Sequence, residues 1–146
     1  MEQRVNIEKI QPEAYKAMYS LSAIVRRSSL TTIQKNLIMV RASQLNSCAF
    51  CLNMHTRDAL KAGETQQRLF LLSAWKETDL FTDEEKSILA LTEEVTLIHQ
   101  DGVRDETYRQ AARFFSPEKI SEIIMSAVLI NAWNRISVST RKPLDE

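Results

Sequence analysis

Glycine and proline are scarce in this sequence, with 2 and 3 residues among 146. Because turn-rich and β-rich folds depend on these residues, their scarcity argues against such a fold and against a flexible linker. The sequence also lacks an apolar run long enough to span a membrane, and its first residues lack the apolar core of a secretion signal. We therefore expect a single domain of residues 1–146 that is cytoplasmic and has no membrane partner.

An excess of charge of one sign is also lacking, because 19 basic residues balance 19 acidic ones. This balance gives no electrostatic reason to expect nucleic acid or an anionic membrane as a partner. No phosphate-binding glycine loop, Ser-His-Asp order, paired-carboxylate signature or internal repeat is present. The hydrophobic content of 44% and charged content of 26% are typical of a globular domain with a core of its own.

Apolar residues recur at helical spacing along most of the chain, and no segment resembles a strand. The fold class that this pattern predicts is all-α, with about seven helices. The last helix is apolar around most of its circumference, which predicts that it is central or shared between subunits. The predicted helices span about residues 12–27, 30–45, 48–63, 64–75, 82–101, 104–115 and 117–136, and a polar tail of residues 137–146 follows.

Both cysteines lie in the segment 44–55, together with one of the two histidines. If the chain is helical from Cys48 onward, Cys48, Cys51 and His55 fall within about 60° of arc on one helix face. Residues 46–47 are predicted to cap this helix, placing Cys48 in the first turn, where backbone N–H groups and the helix dipole favour a negative sulfur. His55 can exchange a proton near neutral pH. The spacing therefore predicts a two-electron thiol–disulfide switch with a proton carrier.

Three other interpretations of the cysteine pair remain open at this point. The cysteines can be ordinary buried residues, or a structural disulfide, although so short a loop adds little stability. They can also bind zinc with His55, but the other histidine, His99, lies on a distant segment and no fourth ligand is evident. In a reducing compartment a Cys-x-x-Cys motif is more often catalytic or metal-binding than structural.

Residues 41–59 strongly resemble the core of the AhpD-like alkylhydroperoxidase branch of the carboxymuconolactone decarboxylase family. The likeness extends through Trp75, residues 81–85 and residues 131–135, so it covers most of the chain. As a combination these motifs are specific for the family. They are much less specific for the molecule that one member reduces.

The resemblance implies an all-helical, homo-oligomeric protein, a trimer or hexamer, with the Cys-x-x-Cys at a helix start near a subunit interface. It implies a peroxidase or disulfide reductase in which Cys51, the more deeply buried sulfur, attacks a hydroperoxide. Cys48 then resolves the oxidised sulfur and meets the reductant, and His55 shuttles the proton. A dithiol or protein-disulfide electron donor restores both thiols. No cofactor and no metal are implied, because the dithiol itself carries the electrons.

The sequence departs from the family pattern at Asn36, where the family's proton relay usually has a glutamate. Asparagine cannot accept a proton as a base, although it can hydrogen-bond a histidine or a water. Gln44 is a candidate supporting residue, and folding can bring in Glu13, Glu85 or Glu122. Asn36 therefore supports an alternative function, an oligomeric redox-sensing or small-ligand-binding protein with little turnover. A lactone decarboxylase-like enzyme is the third alternative.

Overall fold

The structure, a computed structural model, describes residues 2–144. Those residues form eight α-helices and one 3₁₀ helix, with no β-strand among them, which confirms the predicted all-α class. The elements are α1 (Ile7–Ile10), α2 (Pro12–Arg26), α3 (Thr32–Leu45), α4 (Ala49–Lys61), α5 (Gln66–Leu71), the 3₁₀ helix (Leu72–Glu77), α6 (Asp83–Thr96), α7 (Asp105–Ala112) and α8 (Pro117–Thr140).

Side-chain caps define the starts of the long helices. Thr31 and Gln34 cap each other's backbone at the start of α3, and Thr82 and Glu85 do the same at α6. Ser116 caps α8. The starts of α6 and α8 agree with the predicted ones, because the capping signal is local in sequence. α3 begins at Thr32, two residues after the predicted start, because Thr31 caps it and Ser29, the other candidate cap, does not.

Helices α3, α6 and α8 form the centre of the fold, and α3 also packs against α4. Ile123, Ala127 and Ile130 of α8 are completely buried in the core, as its apolar circumference predicts. The outer side of α8 leaves Met125 and Val128 exposed. Within residues 2–144, we find no helix that combines the length and the hydropathy needed to cross a membrane.

Two differences from the predicted helices lie before α6. The short α1, capped by the side chain of Asn6, was not predicted, because four residues, none of them buried, give no periodic signal. The predicted helix 64–75 begins later and is divided into α5 and the 3₁₀ helix, with Ala74 outside helical geometry. The division allows Trp75 Nε1 to donate a hydrogen bond to Glu93 of α6 at 2.7 Å. This tertiary contact has no signature in the local sequence.

The remaining differences lie at helix ends. α6 ends before the predicted residue 101, because Glu94 turns the chain back by accepting hydrogen bonds from Arg104 N and Thr107 Oγ1. α7 ends at Ala112, earlier than predicted. α8 instead continues through the first four residues of the predicted tail and ends where Arg141 adopts a left-handed conformation. The last two tail residues, 145–146, lie outside the described residues.

Candidate active site

The turn between α3 and α4 determines where Cys48 lies. Ser47 adopts a left-handed conformation with φ of 52°, and Cys48 is then extended. The backbone N–H of Cys48 donates to the carbonyl oxygen of Ser43 at 3.0 Å. Cys48 is therefore the N-cap of α4, which corrects the prediction that residues 46–47 cap this helix and that Cys48 lies in its first turn. Serine seldom adopts positive φ, so the sequence did not indicate this turn.

Cys48 and Cys51 are joined by a disulfide, with their Cα atoms 5.4 Å apart. The capping atom is the sulfur of Cys48, which accepts a hydrogen bond from Cys51 N at 3.3 Å. Cys51 thus lies in the first turn of α4, where unpaired N–H groups and the helix dipole stabilise negative charge. Both residues are 1% exposed, so depth of burial does not distinguish Cys51 from Cys48 as the resemblance implied.

Asparagine side chains of α8 hold this turn in place. Asn46 Nδ2 donates to the Oδ1 atoms of Asn131 and Asn134, each at 2.9 Å. Asn134 is completely buried, and its Nδ2 donates to Ser43 Oγ at 3.0 Å. Asn131 in turn donates to Thr96 Oγ1 at 2.9 Å. Arg135 Nη1 also donates to Asn131 Oδ1 at 2.9 Å. These neutral side chains, which we call the asparagine network, tie α3, α6 and α8 to the turn before α4.

Cys51 lines a cavity of 620 Å³, and Cys48 does not. His55 of α4 and Asn36 of α3 line the same cavity, which we call the thiol cavity. Its other walls come from α2, α8 and the residues after α8. The fold therefore brings Cys51, His55 and Asn36 to one space and leaves Cys48 behind the disulfide bond.

One wall of the thiol cavity is aromatic. Tyr15 and Tyr19 of α2 pack edge to face with ring centroids 5.2 Å apart, and the Trp133 ring lies 5.1 and 5.6 Å from them. The indole is fixed because its Nε1 donates to Ser22 Oγ at 3.0 Å. Apolar rings beside a few polar groups are typical of sites for organic ligands.

His55 lies one turn after Cys51 on α4 and is partly buried. Burial lowers the pKa of His55, and the negative charge of Asp58 opposes this decrease. The lower pKa favours the neutral imidazole at physiological pH, the form that accepts a proton. Asp58 also lines the thiol cavity and was not among the candidate residues predicted from the sequence. Its spacing of three residues from His55 could have indicated it, because residues three apart on a helix are neighbours on its surface.

Asn36 of α3 is one of the residues that line the thiol cavity. The Nδ2 atom is buried and has no hydrogen-bond partner within residues 2–144. Leaving such a donor unpaired costs about 1–3 kcal/mol, so a partner that reaches it would be favoured. A side chain at position 36 can therefore contact a molecule bound in the thiol cavity.

None of the glutamates considered as a substitute for the relay carboxylate lines the thiol cavity. Glu13 is exposed on α2, Glu85 forms an ion pair with Arg68 at 2.7 Å, and Glu122 binds the loop before α3. Among the described lining residues, Asp58 is the only carboxylate.

Gln44 lies outside the cavity lining, and its Oε1 accepts a hydrogen bond from Arg41 at 3.0 Å. His99 is exposed in the turn after α6, far along the chain from the cysteines. In the part of the chain that the structure describes, no three His, Cys, Asp or Glu side chains converge as metal ligands.

Lys142 is a lining residue that sequence analysis did not identify. It follows α8, and its Nζ lies 3.5 Å from Tyr15 Oη and 4.2 Å from the centroid of the Phe50 ring. A lysine in a predicted polar tail carries no signal for such a position, because the contact depends on the path of α8.

Comparison with known proteins agrees with the family resemblance of the sequence. The profile of the carboxymuconolactone decarboxylase family matches residues 12–94, more than half of the chain. The uncharacterized protein YdfG of Bacillus subtilis is 42% identical over 139 residues, which are 95% of this chain and 95% of YdfG.

Solved structures show the same fold. A protein of unknown function from Agrobacterium tumefaciens, for which a role as the antioxidant defence protein AhpD has been suggested, has a TM-score of 0.96 and 35% identity over 99% of both chains. A complex of the debrominase Bmp8 with 2,3,4-tribromopyrrole has a TM-score of 0.83 and 16% identity, covering 94% of this chain and 73% of Bmp8. The second likeness is one of fold alone.

Proposed function

Because the chain belongs to the carboxymuconolactone decarboxylase family, we propose that it is a thiol-dependent peroxidase that reduces alkyl hydroperoxides through Cys51, Cys48 and His55. One observation carries the proposal: Cys51, bonded to a second cysteine, lines the same cavity as a histidine whose pKa favours the neutral base. The sulfur that we propose as the nucleophile is thus bonded to its proposed resolving partner and lines the same cavity as the proposed proton acceptor.

The first step consumes the hydroperoxide. In the reduced protein, the Cys51 thiolate attacks the terminal oxygen, an S–O bond forms and the O–O bond breaks. Cys51 becomes a sulfenic acid, and the alkoxide leaves as an alcohol after taking a proton. His55 accepts the proton of the Cys51 thiol and delivers it to this alkoxide.

The second step closes the disulfide. The Cys48 thiolate attacks the sulfenic sulfur of Cys51, the S–S bond forms, and the hydroxyl leaves as water with one proton. In sum, one hydroperoxide and two thiols give one alcohol, one water and one disulfide. A dithiol, either a small molecule or the reduced form of a protein-disulfide electron donor, then reduces the pair by exchange: the Cys48–Cys51 disulfide returns to two thiols and the donor becomes a disulfide.

The cavity supports an organic hydroperoxide over hydrogen peroxide as the substrate. A volume of 620 Å³ exceeds what hydrogen peroxide needs and is within the usual range for small organic ligands. The aromatic wall of Tyr15, Tyr19 and Trp133 adds apolar surface on which an alkyl or aryl group can pack.

We further propose that the protein is a cytoplasmic homo-oligomer, a trimer or hexamer. The apolar side chains of Met125 and Val128 on the outer side of α8 support association, since both are more than two-fifths exposed. Light scattering tests this proposal, with a mass three or six times 16.8 kDa as the expected result and a monomer mass as the contrary one.

A second function, redox sensing or small-ligand binding with little turnover, is favoured by one observation. Asn36 lines the thiol cavity at the position where the family resemblance leads us to expect a relay carboxylate, and no described glutamate lines the cavity in its place. In that case the disulfide forms slowly, and occupancy of the cavity is the signal.

Intact mass spectrometry separates these two functions. Fully reduced, chelator-treated protein receives one equivalent of cumene hydroperoxide, and the double variant Cys48→Ser/Cys51→Ser is the control. We expect a rapid loss of two hydrogen masses in the wild type, reversed by a dithiol, and no change in the control. Thiols that stay reduced contradict the peroxidase and favour the binding protein.

A further inference from the structure

The charged side chains that line the thiol cavity are mostly basic. Arg26, Lys35 and Lys142 line it, with Asp58 as the only carboxylate among the described lining residues. The whole chain, by contrast, has equal numbers of basic and acidic residues. Within residues 2–144, no ion pair neutralises any of these three cations. Two carboxylates lie near the lining: Glu8 accepts a hydrogen bond from Tyr19 Oη at 3.4 Å, and the charge of Lys35 contributes to the lowered pKa of Glu122. The lining itself carries more basic than acidic side chains.

Of the three cations, Lys142 is the best placed to bind a ligand. Lys35 already donates to two backbone carbonyl oxygens, at 2.6 and 3.2 Å, and Arg26 is exposed at the end of α2. The partners of Lys142 are weaker: a phenol oxygen at 3.5 Å and the face of the Phe50 ring. An ammonium group has three donors, so hydrogen-bonding capacity remains for an anion.

The backbone around Lys142 is held in place. Its N–H donates to the carbonyl oxygen of Ser137 at 3.0 Å, which closes the end of α8. The chain near the amino terminus adds a second tie, because Arg4 N donates to the carbonyl oxygen of Thr140 at 2.9 Å. These bonds fix the backbone from which the Lys142 side chain extends to Tyr15 and Phe50.

We propose that the thiol cavity prefers hydroperoxides that carry a carboxylate on an apolar or aromatic body; this inference rests on the proposed function. The carboxylate binds Lys142, and the apolar body packs on the rings of Tyr15 and Trp133. The hydroperoxide group then meets Cys51. The carboxylate is not consumed, and only the O–O bond is reduced, as in the two steps above.

Two substrates that differ in one group test this preference. Cumene hydroperoxide and its para-carboxylated analogue share the reacting group, and only the second is an anion at neutral pH. We expect the carboxylated substrate to oxidise the reduced protein with a kcat/KM about tenfold higher at low salt, as one charge-assisted hydrogen bond would give. The advantage should decrease as salt is added.

Two variants assign the preference to Lys142. Lys142→Met keeps an unbranched side chain, one atom shorter, but removes its charge and donors, and should abolish the advantage of the carboxylated substrate. Lys61→Met, at the exposed end of α4 and outside the cavity lining, is the matched control and should keep it. Equal kcat/KM for the two substrates in the wild type, or an advantage that survives in Lys142→Met, overturns the inference.

A binding measurement separates this inference from the proposed function. Calorimetric titration of the Cys48→Ser/Cys51→Ser protein with 4-isopropylbenzoate and with neutral 4-isopropylbenzyl alcohol needs no turnover. Tighter binding of the anion, lost in the additional Lys142→Met variant, supports the anion site even if no hydroperoxide is reduced. Equal binding of anion and alcohol contradicts the anion site, whatever the peroxidase activity.

Discussion

The asparagine network and the thiol cavity both lie beside the cysteine pair. They differ in hydrogen bonding: the network's amides are paired with one another, whereas the cavity contains polar groups that are not fully paired within residues 2–144. In the network, Asn46, Asn131 and Asn134 satisfy one another through hydrogen bonds of 2.9 Å. In the cavity, Asn36 Nδ2 has no partner among the described residues, and Lys142 has no carboxylate partner there.

This difference indicates that the network keeps the backbone of the site rigid and that the cavity supplies the groups proposed to react or bind. Satisfied neutral groups fix a backbone conformation, here the left-handed Ser47 and the extended Cys48. Unsatisfied groups cost stability, and they remain available to a bound molecule. Changes on the network side should therefore affect mainly stability, and changes on the cavity side mainly rate.

The largest expected effect is on the cavity side. His55→Gln should slow oxidation of the reduced protein by hydroperoxide by about 10²–10⁴-fold, the usual loss when a general base is removed. Stopped-flow tryptophan fluorescence measures this rate. His99→Gln, which changes the exposed histidine, is the control and should retain the wild-type rate. An unchanged rate in His55→Gln would remove His55 from the mechanism.

On the network side, Asn134→Leu should lower the free energy of unfolding by about 2–3 kcal/mol, because Asn46 and Ser43 lose a buried partner. Urea denaturation of the oxidised protein measures this loss. Adding Ser43→Ala should recover part of it, since the buried hydroxyl is then no longer unpaired. A loss below about 0.5 kcal/mol, the level of an ordinary surface substitution, would show that the network does not hold the turn.

A moderate gain is expected from Asn36→Glu. A carboxylate on the cavity wall can accept a proton where an amide cannot, so thiol oxidation should be about tenfold faster. Asn36→Gln has the same length without the charge and should show no gain. If both variants are equally fast, the position acts through shape and the carboxylate relay is not restored.

The smallest expected effect is a pH dependence of stability. Because burial lowers the pKa of His55 in the folded state, the unfolded chain binds a proton there at higher pH. As pH falls from the usual histidine range towards the lowered folded pKa, His55 removes stability, and below that pKa the loss is complete. The difference in unfolding free energy between wild type and His55→Gln should change over this interval. A pH-independent difference contradicts the lowered pKa.

The parts of the fold that could be predicted are those whose signals are local. Capping pairs such as Thr82 and Glu85 act within one helical turn, and periodic apolar residues identify the long helices. The ends of α5 and α6 could not be predicted, because Trp75 binds Glu93 and Glu94 binds Arg104 across the fold.

The candidate site also has features that the local sequence predicts and features that depend on the tertiary fold. Cys51 and His55 are one turn apart on one helix, so the sequence spacing alone predicted that both lie on one face, and both line one cavity. The capping role of Cys48 depends on the positive φ of Ser47, which the sequence does not signal. Lys142 reaches the cavity only because α8 continues into the predicted tail.

The most direct test of the central claim asks which sulfur the hydroperoxide oxidises. Reduced Cys48→Ser and Cys51→Ser variants are treated with one equivalent of cumene hydroperoxide in the presence of dimedone, and the adduct is located by peptide mass spectrometry. Because Cys51 lines the thiol cavity, we expect a sulfenic acid adduct on Cys51 in Cys48→Ser and none in Cys51→Ser. An adduct on Cys48 with Cys51 unmodified would contradict the account.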